Sequence, residues 1–231
     1  MPVASSLERS SPTDYAAEIA AFGVTLALAW NLEWQAGDLV WGLWLSSLCV
    51  GYLVMLSQAL YTPFKVIRGI FTEKQRFPWR SVVLGVGVVF AFFGFILAFF
   101  TLHFGAFHYA HGFILEGFFP IEGMSYPSGV FEFVSFVGAL VSRYYGMVLA
   151  SAVVQRRMIL KPKGLEHMSQ PYRGVIKMHL MIFVFAALSA LGATNFLIYA
   201  ATLFVYFFPW RVLRDGELSD GMGGTSPVET S

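Results

Sequence analysis

Apolar residues fill most of the chain in long unbroken runs, and short polar stretches set where each run begins and ends. Ser11, Pro12, Thr13 and Asp14 mark a helix start, since proline suits the first helical turn and an early acid suits its dipole. Runs over about 15–34, 39–61, 81–103, 128–154, 175–191 and 196–208 follow, and most approach the roughly 20 residues needed to cross a hydrocarbon core about 30 Å thick. The last run is short for a full crossing and closes on Pro209 and Trp210. Glu33 and Asp38 lie at the first turn, while Pro120 and Pro127 bound a loop over about 116–127 that lies on the interface or dips into it. The pattern predicts an all-α integral membrane bundle of about six transmembrane helices. Residues 1–14 form a tail before it, 15–214 a single transmembrane domain, and the Gly/Ser-rich 215–231 a disordered tail.

Composition agrees with this class: 57% hydrophobic and 13% charged, with 24 Phe, stands far from the roughly 25% charged of soluble domains. A net charge of +1 predicts no nucleic-acid partner, and the position of the charges carries more information than their sum. Lys65, Arg68, Lys74, Arg76 and Arg80 fall in one loop, and Arg156, Arg157, Lys161, Lys163, Arg173 and Lys177 in another. The loops after the first and third runs are acidic. The positive-inside rule therefore places both termini in the cytoplasm, and Glu33, Asp38, Glu116, Glu122 and Glu132 on the opposite side. The first ten residues lack the basic region and apolar core of a cleaved signal peptide. The single cysteine, Cys49, sits inside an apolar run and reads as packing.

The richest stretch is FFTLHFGAFHYAHGFIL at 99–115, which holds three of the five histidines. At about 100° per residue His103 falls at roughly 0°, His111 at roughly 80° and His108 at roughly 140°, with Phe100, Phe104 and Phe107 between them. Gly105, Ala106, Ala110 and Gly112 form a small-residue face suited to close helix approach. The histidines are either interfacial side chains, wet at one end, or ligands of a divalent transition metal such as Zn, Cu or Fe. His108 and His111, one turn apart, can share an ion, with Glu116, Glu122 or Glu132 as third ligand. His103, about 12 Å from His111 along a straight helix, is a secondary candidate. A haem is not expected, because His179 lies near the cytoplasmic end of its run while His103 is about 33 Å along its own.

Ionisable groups within the runs suggest a second polar layer of Glu18, Gln58, Arg143 and His179. Glu18 is the acid expected to pair with Arg143, unless Arg143 snorkels to the interface. The chain has no Gly-x-Ser-x-Gly, no phosphate loop and no His-Glu-x-x-His. Ser142 with His179 is the one Ser–His pair considered at a common depth.

The strings AWNLEW at 29–34, LVWGLWLSSL at 39–48 and HFGAFHYAHGFIL at 103–115 resemble a bacterial family of multi-pass membrane proteins of unknown function. The resemblance covers about residues 20–215 and implies a membrane protein with no assigned activity. Its acid after the second-span tryptophan is replaced here by Leu45 and Ser46. The combined reading is a multi-pass protein of the bacterial plasma membrane that binds or moves a small solute or ion, with a metal at the outer histidines. A metal-dependent membrane enzyme and an accessory subunit packed against a membrane-protein partner, or a further copy, are the alternatives.

Overall fold

The computed structural model describes residues 12–72 and 78–162, with 176, 180–181, 183–185, 187–188, 190–192 and 204. His167, His179, most of the fifth and sixth runs, the first eleven residues and the tail 215–231 lie outside the described residues. Every described element is helical: α1 Pro12–Asn31, α2 Ala36–Thr72, α3 Trp79–Phe118, α4 Val130–Val154 and the short α5 Arg156–Leu160. Three of them, α2, α3 and α4, are long and apolar enough to cross a membrane.

Helix α1 starts at Pro12, at the Pro/Asp signal. It ends on Glu33 in the left-handed region at φ 52°, with the Trp34 amide donating to the Ala29 carbonyl at 2.9 Å. Asp38 then caps α2 by accepting from the Gln35 amide at 2.9 Å. Helix α2 runs through Pro63 to Thr72, past the apolar run ending near residue 61. At 37 and 40 residues, α2 and α3 are about 55 and 60 Å long, more than the 40–45 Å of a whole bilayer. Both therefore extend beyond the apolar runs that define them.

Helices α2 and α3 pair antiparallel. Tyr52 donates to the Thr101 carbonyl at 3.1 Å, Trp44 to the His108 carbonyl at 3.1 Å, and Trp41 to the Phe119 carbonyl at 2.8 Å. Glycine permits the closest approach, because a Cβ on Gly51 would overlap the Phe104 ring. After Phe119 the chain folds back along α3 and does not leave it. Tyr126 donates to the Tyr109 carbonyl at 2.5 Å, Tyr109 donates to the Pro127 carbonyl at 2.7 Å, and Tyr126 occupies the space over Gly112. The loop between α3 and α4 thus packs back along the last turns of α3.

This return changes what α4 is. Phe133 meets Trp44, Phe136 meets Trp41, and Arg143 with Tyr144 meets Asp38, so the first half of α4 climbs toward the N-terminal end of α2. At Tyr144 the backbone leaves helical geometry (φ −119°, ψ 19°). Beyond it Met147 lies against Gly42, and Gln58 donates to the Met158 carbonyl at 2.9 Å, so the second half and α5 run back down α2. The run expected over 128–154 is one helix, α4, bent at Tyr144 into two arms that saddle the start of α2.

Candidate functional site

The core lies where these arms, α2 and α3 meet, and is aromatic: Trp41, Trp44, Phe104, Phe136 and Tyr144 are buried together with Leu39, Leu115 and Met147. Its rings meet edge-on, as ring quadrupoles prefer, with Trp41 5.5 Å from Trp44 and 5.6 Å from Phe136. His108 is fully buried among them, 4.3 Å from the Phe104 ring and 6.0 Å from Trp44. Its Nδ1 lies 2.9 Å from the Phe104 carbonyl, which only accepts, so Nδ1 carries the hydrogen. In the neutral ring Nε2 is then an acceptor, and Ser47 Oγ donates to it at 3.3 Å. The spacing of a buried imidazole one helical turn after Phe104 locks its tautomer and clamps α3 to α2.

The three histidines separate in burial. His103 is exposed and stacks on Phe99 at 5.8 Å, while His111 is half-buried with Nδ1 2.8 Å from the Phe107 carbonyl. Glu122 is exposed, and Glu132 accepts from the Ser128 amide and hydroxyl, both at 2.9 Å. Glu116 has one buried carboxylate oxygen with no hydrogen-bond partner among the described residues. Burial and, after it, the neighbouring Tyr109 and Glu116 push the Tyr126 phenol well above its ordinary value. Among the described residues no three His, Cys, Asp or Glu side chains gather closely enough to hold a metal ion.

The inner polar layer is likewise rearranged. Arg143 donates to Asp38 Oδ1 at 2.9 Å, and Tyr144 donates to the same oxygen at 2.7 Å. Asp38 is thus the partner of Arg143, in place of the expected Glu18. The fold-back of the loop before α4 is the physical reason, since it starts α4 beside Tyr109 and Trp44 and so aims its first arm, with Arg143 at its end, at the α1–α2 turn. Glu18 is buried on α1 and Gln58 is tied to α5, so the two do not join Arg143 in one layer. The Ser–His contact that does form, Ser47 with His108, was not signalled by spacing, because it joins residues 61 apart across two helices.

Beside the core lies a groove of about 920 Å³ between α2, α3 and the first arm of α4. Leu53, Leu56, Leu102, Ala106, Val134 and Val137 form much of its wall. Three of the hydroxyls that border it are committed: Tyr52 to the Thr101 carbonyl, Tyr109 to the Pro127 carbonyl and Ser128 to Glu132. Cys49, read as packing, is a half-buried wall residue here.

These features define a class, an all-helical protein with three helices able to span a membrane, built on an aromatic core with an apolar groove beside it. Residues 5–207 match the model of a family of unknown function (DUF6498), and the chain belongs to that family. No curated protein and no solved structure matches the chain.

Proposed function

We propose that this protein is a multi-pass membrane protein, oriented with both termini in the cytoplasm, that holds a small apolar or amphipathic molecule taken from the bilayer. The groove between α2, α3 and α4 carries the reading. Its volume of about 920 Å³ lies within the range of small-molecule sites, roughly 300–1,000 Å³, and its walls are apolar. It lies between helices long and apolar enough to span, so a hydrocarbon-rich ligand can enter sideways without first crossing water. Three of the hydroxyls along it already have partners, which favours a ligand that asks for few hydrogen bonds.

Ala106 is an exposed, small wall residue, and Ala106→Trp should fill the groove without entering the core. Mass spectrometry of extracts from purified protein should find a stoichiometric apolar molecule in the wild type and its loss in Ala106→Trp. A wild type that carries none, or a variant that retains it, would overturn the reading.

A further inference from the structure

A second cleft, of about 560 Å³, opens on the other side of the first arm of α4, lined by Met124, Tyr126, Phe131, Glu132, Ser135 and Phe136 among others. Glu132 is the one charged residue that lines it. Its Oε2 accepts both hydrogen bonds from Ser128, and these bonds favour the charged form of the exposed carboxyl. Aromatic faces attract cations through their quadrupoles, and a methionine sulfur beside them is soft and polarizable. A cleft lined by a carboxylate, three rings and a thioether suits an ammonium group that carries carbon, more than a bare metal ion that demands several oxygens. The surrounding field has the right sign. The sequence contains no Lys or Arg from 81 to 142, while Glu116, Glu122 and Glu132 all fall in that stretch. Arg143, the next cation along the chain, is engaged by Asp38.

We propose that this cleft binds an organic ammonium group, with the Glu132 carboxylate as its counter-charge and the rings of Tyr126, Phe131 and Phe136 as its walls. The proposal is independent of the groove, since the two cavities share no lining residue. The same chemistry is offered by a soluble amine and by the ethanolamine or choline of a phospholipid.

The test uses the full chain in nanodiscs of phosphatidylglycerol, titrated calorimetrically with tetramethylammonium against sodium at equal ionic strength. The wild type should show saturable binding that sodium does not match. Glu132→Gln keeps an oxygen for Ser128, so the helix start survives, and should weaken binding about tenfold or more with unchanged melting. Phe131→Ala, at a fully outward ring, should weaken it about two- to fivefold. No saturable binding, equal binding of sodium, or undiminished binding by Glu132→Gln would overturn the proposal. Competition by phosphatidylcholine in a second set of nanodiscs would assign the site to lipid headgroups. Unchanged affinity there would assign it to a soluble amine, and both results support the ammonium chemistry.

Discussion

The first half of α2 and the first half of α3 are both long apolar stretches of membrane-spanning length, and they have opposite fates. In α2, Leu39, Trp41, Leu43, Trp44, Leu45 and Val50 are buried; in α3, Val83, Leu84, Val88, Phe90, Phe95 and Phe99 are exposed. The more apolar of the two is the one left uncovered, with Phe93 the one buried residue between 79 and 103. In a bilayer, hydropathy does not distinguish a core from a lipid-facing surface, because lipid tails are as apolar as leucine. What marks α2 as core is the mixture of Trp with Gly42, Gly51 and Ser47, residues that give close approach and directed hydrogen bonds. The exposed half of α3 has glycines too, yet a Cβ at Gly85, Gly87 or Gly94 would meet nothing within 4 Å.

Paired substitutions would break this contrast if it is wrong. Gly51→Val forces a side chain into the Phe104 ring and should cost about 2–3 kcal/mol, whereas Gly87→Val in the uncovered half should stay within about 0.5 kcal/mol. Thermal unfolding in detergent reads both, and equal losses would mean that α3 is covered along its whole length.

A histidine pair sharpens the same contrast with a somewhat smaller effect. His108→Ala removes a buried ring and leaves Ser47 without its acceptor, for about 2 kcal/mol; His103→Ala should fall below about 0.5 kcal/mol. A larger loss at His103, read by the same unfolding assay, would place the clamp on the wrong imidazole.

The smallest effect lies at the loop folded over Gly112. The Tyr126 phenol has a raised pKa in the folded protein, so its stabilising contribution is fully present below the unfolded tyrosine value near 10 and is lost as pH rises through the higher folded value. Melting temperature followed above about pH 9 should fall less steeply in Tyr126→Phe than in the wild type. Identical slopes would show that Tyr126 keeps its ordinary pKa and is not held in the loop's contact with α3.

Much of this fold is legible in the sequence. The apolar runs at 15–34, 39–61 and 81–103 locate α1, α2 and α3, and the Pro/Asp signal fixes where α1 begins. The helical angles of 99–115 already carry α3 through the histidines, whereas the extension of α2 past its apolar run and through Pro63 escapes such a reading. The break in α4 escapes it altogether: Arg143, Tyr144 and Tyr145 contain no proline or glycine, and the contact made at the break is with Asp38, 105 residues away from Arg143. With the fold-back before α4 hidden as well, the acid nearest in expected depth is Glu18. The histidine stretch is likewise found by spacing, yet angles on one helix do not show which side Trp44 and Ser47 will cover.

The saddle formed by α4 also sets an order of assembly. Its first arm lies on Trp41 and Trp44, and its second runs down beside Gly42 and Gln58, so both arms rest on α2. The carboxylate that meets the bend was synthesised about a hundred residues earlier. Closing that contact joins residues 105 apart, against 49 to 78 for the hydrogen bonds that pair α2 with α3, so it carries the larger loop-closure entropy and is expected to follow that pairing in the nascent chain.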